Sequence, residues 1–481
     1  MINVSMFACM LQVRESWQDK FRIKSKGEFK MKRIVALFMV LAMLMGMITG
    51  CSSTKEPDTA SDTDKSMGVQ PEQAKKEGEK TKIKFATTSA YVFEGEGMAF
   101  LESIKSAFEK THPDIEVEIV VITCDGWSDY FTKLQTMIAA GDAPDCFYTA
   151  IEGTEICRSL EINQPLNTYI EADGAEAWAD YCENTGVAFR NAGEKNDNVY
   201  GIAVLWQNII TMINKNMLAE AGLPVPDPNW DFDTFVEYCG KLSYEREDGS
   251  RQYAFAAPAG YFPYTQWLYH FGTGYLNRDL TEITFDSPES IELMQFMSDA
   301  VNKYKYAPLG DAGYDATMEF INGNLAMVFC GSWGLNSANS NEFTDYEVVN
   351  VPTKYDDQKM FAVGYIDVAA ASKNYDAACE FALWCGSKEH IEMFCGRTGD
   401  IPVREDAAAA LKERFGFLEN IDLFITTSED AIPMQNPPAY AEISNILDRY
   451  QAACLAGEID AEKACKDAAE EMRAALNANP T

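Results

Sequence analysis

Residues 320–333, FINGNLAMVFCGSW, constrain this chain more than any other stretch. Asn322-Gly323-Asn324 ends a helical approach, because Gly and Asn accept the left-handed conformation that closes helices. The LAMVFC run at 325–330 is short and continuously apolar, so it predicts a strand buried on both faces of a mostly parallel sheet. Gly331-Ser332 then makes a small-residue turn at the carboxyl end of that strand and delivers Trp333. Ligands collect outside the carboxyl ends of strands in open α/β sheets, so Trp333 reads as a stacking wall. A core Trp is the plain alternative.

The rest of the chain supplies the α/β pattern this strand needs. A strand is expected at 83–86, a helix at 97–111 with Leu101, Ile104 and Phe108 as its core stripe, and a strand at 115–123. A helix at 129–140 and a strand at 146–149 follow. Alternating strands and helices imply parallel pairing with right-handed crossovers. At 481 residues the chain is long enough for two or more domains. Its formal charge of -34 argues against nucleic acid and anionic lipid surfaces as partners, since both need basic patches.

The amino-terminal region carries a separate signal. Met31-Lys32-Arg33 is a positive segment, residues 34–48 are apolar, and Thr49-Gly50-Cys51 closes the run with small residues before a Cys. This ending resembles the lipobox of bacterial lipoproteins, which implies acylation of Cys51 and a membrane contact through lipid only. A transmembrane anchor is the weaker alternative, because the run is short and polar residues follow. Residues 1–30 lie upstream of the signal, and translation is expected to start at Met31. Residues 52–80 are polar and read as a disordered tether. Beyond Cys9 and Cys51 the cysteines are scattered without CxxC pairs, so they read mainly as small buried hydrophobes, tolerable in a cell living without oxygen. One or two disulfides stay open. His112, His270 and His390 lack zinc-ligand spacing, so no metal and no cofactor are expected.

Several motifs point to one family. The segments FEKTHP at 108–113, KLQTMIAAGDAPDCFY at 133–148, PLN at 165–167 and VYGIAVLWQNIITMINKNMLAEAGLPVPDPNWDFDTF at 199–235 resemble the extracellular solute-binding proteins of family 1. GNLAM and GSW at 323–333, Gly364-Tyr365, AACEFALWCGSKE near 379, GDIPV at 399–403, Pro437-Pro438 and a helix at 461–476 continue the match in order. These proteins are the sugar receptors of ABC importers, among them the maltose-binding protein. The resemblance implies an α/β, two-lobed periplasmic-binding-protein-like fold of type II, with an interlobe ligand cleft and hinge crossings. It implies crossings at 209–213, at 325–330 and at 368–371. Lobe 1 is then expected at 81–210 and 325–370, and lobe 2 at 211–324 and 371–481. The partners it implies are a sugar or oligosaccharide and ABC permease subunits, with the receptor a monomer at the extracellular side of the membrane.

Sugars offer apolar ring faces and a belt of hydroxyls, so their sites pair aromatic planes with polar side chains. Loops carrying both kinds of residue supply Tyr91 and Glu94, Asp125 and Trp127, and Tyr148 and Glu152. The resemblance adds Trp206 and Gln207 before the first crossing, with Tyr365, Asp367 and Tyr440. The segment 261–267 reads as an exposed, Pro-interrupted aromatic loop and contributes Tyr261, Tyr264 and Trp267. Trp230, Trp178 and Trp384 are assigned to packing, with Asp231 or Asp233 capping a helix. A secreted carbohydrate-active lipoprotein enzyme is the rival reading, drawing on carboxylates such as Asp125, Glu152 or Asp367. No GxSxG, HExxH or P-loop pattern supports it. A receptor for a non-sugar solute, or one serving a sensor kinase, is the other.

Overall fold

The computed structural model describes residues 80–93, 95–310, 314–423 and 431–479. The expected signal, Cys51, the tether to 79 and Glu94 lie outside the described residues. The elements from the first strand onward form as the apolar pattern dictates. Thr81–Thr88, Ile115–Ile122 and Cys146–Ala150 are strands, and Ala99–Thr111 and Trp127–Ala139 are helices between them. Leu101, Ile104 and Phe108 face the core as their spacing requires.

Two sheets organise the described chain. The first runs Ile401–Pro402, Gly201–Gln207, Met360–Ala369, Cys146–Ala150, Thr81–Thr88, Ile115–Ile122 in spatial order. Thr81–Thr88 pairs parallel with both of its neighbours, whereas Met360–Ala369 runs antiparallel between Cys146–Ala150 and Gly201–Gln207. The second runs Tyr346–Asn350, Ile210–Asn214, Leu325–Cys330, Arg251–Phe255, Tyr244–Glu245. Leu325–Cys330 is its central strand and is buried at all six positions. Each large apolar side chain hidden there contributes about 1.5–3 kcal/mol relative to exposure.

Three expectations are corrected here. The sheet around Leu325–Cys330 is mixed, since this strand is parallel to Arg251–Phe255 but antiparallel to Ile210–Asn214. Nor does the strand return the chain to the first sheet. The chain crosses at Asn208-Ile209, between Gly201–Gln207 and Ile210–Asn214, and comes back through residues 351–359. Strands Leu325–Cys330 and Tyr346–Asn350 therefore belong to the second lobe, while helices Tyr375–Cys385 and Lys388–Thr398 pack on the first sheet. A fully apolar strand carries no mark of which sheet receives it; that is set by long-range pairing.

The third correction concerns residues 261–267, which form the start of a buried helix, Tyr261–His270. Pro263 is tolerated because it occupies the first turn, where backbone N–H groups have no helical partner. Trp230 is buried as expected, its indole N–H donating to the Asn350 carbonyl at 2.8 Å. Asp231 caps helix Phe232–Leu242, accepting from the Thr234 amide at 2.7 Å. The cysteines from Cys124 to Cys465 are all free, and all but Cys124 and Cys182 are buried.

Candidate ligand cleft

Four strands of the two sheets end at one cavity of about 650 Å³. Thr81–Thr88 leads into the short 3-10 turn Ser89–Tyr91, where the Thr88 hydroxyl accepts from the Ala90 amide at 3.2 Å and fixes the exit of the chain. Cys146–Ala150 ends at Glu152, the second residue of helix Ile151–Ser159. Gly201–Gln207 presents Leu205 and Gln207. Leu325–Cys330 passes through Gly331 into helix Ser332–Ser340, which carries Trp333 in its first turn.

One wall is aromatic and comes from the first lobe. Trp127 stacks on Tyr148 with ring centroids 5.6 Å apart and planes 20° apart, and Tyr91 meets Tyr148 edge-on at 5.4 Å. Gly364, in the strand behind them, has to be glycine: a Cβ there would lie 1.8 Å from the Tyr148 hydroxyl. The facing wall comes from the second lobe. Trp333 is 40% exposed and lies 5.9 Å from the Phe262 ring. Next to it Asn336, Ser337, Ser340 and Asn341 line the cavity from the same helical segment.

The floor is polar and joins the lobes. Gln207 Nε2 donates to Ser332 Oγ at 2.8 Å and to Asp400 Oδ1, while the Ser332 amide donates to Gln207 Oε1 at 3.0 Å. Ser332 Oγ in turn donates to Asp400 Oδ1 at 3.1 Å. Burial pushes the Asp400 carboxyl above its ordinary range, and the hydroxyl and amide donors oppose this. Glu152 is buried beside the aromatic wall, and burial pushes its carboxyl up to about 7. Among the described residues it has no ion pair.

The structure thus brings Tyr91, Trp127, Tyr148, Glu152, Gln207 and Trp333 together. It places the other expected residues elsewhere. Trp206 is buried and stacked on Phe189 at 5.3 Å, because strand alternation sends 205 and 207 to the cavity and 206 to the opposite side. Tyr365 and Asp367 are turned away from the cavity-lining Gly364 by the same alternation. Tyr365 donates to the Phe189 carbonyl at 3.3 Å, and Asp367 accepts from Asn163 Nδ2 at 2.7 Å. Tyr264 and Trp267 are core residues of the buried helix, Trp267 meeting Phe329 edge-on at 4.8 Å. Tyr261 and Tyr440 pack against each other at 4.9 Å, outside the lining. Asp125 is exposed at the start of the Trp127 helix.

Sequence reasoning missed Phe93, Arg397, Asp400 and Arg414, which complete the first lobe's side. The signal for Asp400 lies in GDIPV, a family motif that marks its position and not its chemistry. The run of small polar residues at 336–341 was a second unread signal, a helical face too polar to be core. Another cavity, of about 580 Å³, lies between residues 269–289, the segment 356–358 and strand Ile432–Pro433 with the residues that follow it to 436. Tyr269 is the one aromatic side chain among its lining residues, so it has no paired aromatic walls and the cleft is the stronger site.

Comparison with known proteins decides the family. A family model described as "Bacterial extracellular solute-binding protein" matches residues 103–415. The chain belongs to that family. This solute-binding protein is 22% identical over 392 residues to putative binding proteins of Brucella abortus and Brucella suis, covering 78% of this chain and 90% of theirs. Its fold matches an ABC substrate-binding protein from Listeria monocytogenes in complex with cycloalternan, at a TM-score of 0.73 and 24% identity, over 83% of this chain and all of that one. It also matches maltose-bound MalE3 of T. maritima at 0.68 and 20%, over 82% and 99%, and the GacH receptor of Streptomyces glaucescens at 0.68 and 18%, over 83% and 100%. The two-lobed α/β fold of these binding proteins is therefore the fold of this one, and family membership implies a place outside the cytoplasmic membrane. No helix among the described residues is long and apolar enough to cross a membrane.

Proposed function

We propose that this solute-binding protein captures a sugar or oligosaccharide between its lobes and delivers it to an ABC permease. The observation that carries the reading is the pair of facing aromatic walls, Tyr91, Trp127 and Tyr148 from one lobe and Trp333 with Phe262 from the other, over a floor of amide, hydroxyl and carboxyl groups. Pyranose rings present apolar faces to such planes and hydroxyls to such a floor. The same polar, mixed site fits a reversible binder, and the reading includes no turnover of the ligand. Relatives of similar fold include proteins bound to cycloalternan, maltose and acarbose, which supports a saccharide over other solutes.

A ligand touching both walls stabilises the closed arrangement by its differential affinity for it, which is how a receptor signals loading to a transporter. Titrating the purified domain against mono- and oligosaccharides by calorimetry tests the reading. Saturable heats with a saccharide, and no cleavage product afterwards, are expected; heats only with peptides or amino acids would overturn it. The reading extends to a monomer tethered by lipid on Cys51. Cys51→Ala should leave the membrane fraction or stay unprocessed, and a variant that still carries lipid defeats that part.

A further inference from the structure

The cleft of a strongly acidic chain contains two arginines, and their situations differ. Arg397 is ion-paired: its Nε and Nη2 hold the Glu96 carboxylate at 3.2 and 2.9 Å, and its guanidinium lies 3.8 Å from the Phe93 ring centroid. Arg414, the last residue of helix Ala409–Arg414, has no carboxylate within ion-pair distance among the described residues. Its Nη1 donates to the carbonyls of Gly396 and Arg397 at 2.7 and 3.1 Å, and its Nε is enclosed without an acceptor. Among the described residues Nη2 has no hydrogen-bond partner, and it is not one of the enclosed unpartnered atoms. Asp400 is the carboxylate that acts on it electrostatically, but Gln207, Ser332 and Thr398 already bind that carboxyl. Burial, and after it the neighbouring Arg397, push the Arg414 guanidinium below its ordinary range, with Asp400 and Tyr346 opposing.

Nη1 caps the last turn of helix Lys388–Thr398, and no carboxylate among the described residues pairs with the guanidinium in this half-buried wall. With Nη1 committed and Nε enclosed, Nη2 is the donor left for a ligand, and its charge-assisted hydrogen bond to a carboxylate is roughly twice as strong as a neutral one. The hydroxyls and amides of Ser337, Ser340 and Asn341 line the same cavity and can accept or donate to the rest of a sugar ring. We infer that the preferred ligand is an acidic saccharide, one whose ring carries a carboxylate as in a uronic acid, received by Arg414 Nη2. This rests on the saccharide reading given above and sharpens it to a substrate class.

The test compares uronate oligosaccharides of several backbones with their methyl esters, which keep the ring and remove the charge, alongside a sulfated disaccharide and neutral maltotriose. Calorimetry should give at least a tenfold tighter affinity for an acid than for its ester. Arg414→Gln should bring the acid-to-ester ratio close to one, and Arg414→Lys should retain part of it, with thermal melts confirming that both variants fold. An ester or maltotriose binding as tightly as any acid would overturn the inference while leaving the saccharide reading intact. So would a ratio unchanged in Arg414→Gln. Tighter binding of the sulfated disaccharide than of any uronate would move the anion from carboxylate to sulfate and overturn the class named here. Binding of no saccharide at all would remove both readings together.

Discussion

At the scale of single residues, Trp333 and Trp206 separate ligand contact from core. Trp333→Ala should cost on the order of 1–3 kcal/mol of ligand affinity, about a five- to hundredfold rise in Kd, with a small change in melting temperature because the ring is already 40% exposed. Trp206→Ala should do the reverse: roughly 3–5 kcal/mol of stability lost from the Phe189 stack, with the affinity of the folded fraction nearly unchanged. Unfolding by Trp333→Ala with unaltered affinity would make that ring core. Glu152 yields a pH prediction. Its folded carboxyl titrates at about 7 against an ordinary value of 4.5, so the folded state holds a proton that the unfolded chain releases within that window. The contribution is fully present below pH 4.5 and is lost as pH rises through 7. Asp367, also pushed up to about 7, acts in the same sense, whereas His270 and His390, pushed down to about 4, act oppositely below 6.5. Melting curves of wild type and Glu152→Gln are therefore compared as a difference. The variant should gain a few °C, roughly, on wild type between pH 5 and pH 8; parallel pH profiles would refute the assignment.

At the scale of elements, the strand–helix junctions hold the cleft together, and Gly364 is the most constrained of them. Gly364→Ala should push the Tyr148 ring out of its stack with Trp127, weakening ligand binding by at least tenfold, because strand Met360–Ala369 is paired on both edges and cannot retreat. Unchanged calorimetric affinity would show that the ring has room to yield. This scale is also where the limits of sequence reading are plainest. Helix Ala99–Thr111 was legible because its apolar positions recur at helical spacing, Trp127 and Trp333 because they follow strands, and Tyr148 because it stands near the carboxyl end of one. The buried helix Tyr261–His270 was not. Every residue from Tyr264 to His270 is buried, so it has no polar face to show a period, and Pro263 suggested a break that the first turn does not suffer. Trp206 failed for another reason. Its segment was right, but the face was not, and a one-residue difference along a strand exchanges cavity for core. Arg414 sits some eighty residues after Trp333 and reaches the cleft only through tertiary packing, beyond any local pattern.

At the scale of the whole molecule, the described chain crosses between its sheets at Asn208-Ile209 and in residues 351–359, with Gln207, Ser332 and Asp400 hydrogen-bonded across the floor beside the first crossing. A ligand bound at a hundred times its Kd should add about 2.7 kcal/mol of apparent stability, seen as a concentration-dependent rise in Tm; a Tm indifferent to a ligand that calorimetry detects would mean binding to the unfolded chain as well. The cleft also gives the receptor a built-in optical reporter. Trp206, Trp230, Trp267 and Trp384 are sealed in the cores, whereas Trp333 stands partly in solvent and Trp127 lines the same cavity. Covering those two rings strips water from them while the sealed four report no change, so loading should shift the emission maximum to shorter wavelength. In Trp333→Phe most of that shift should vanish, which turns this exposed indole into a direct readout of occupancy without any added dye.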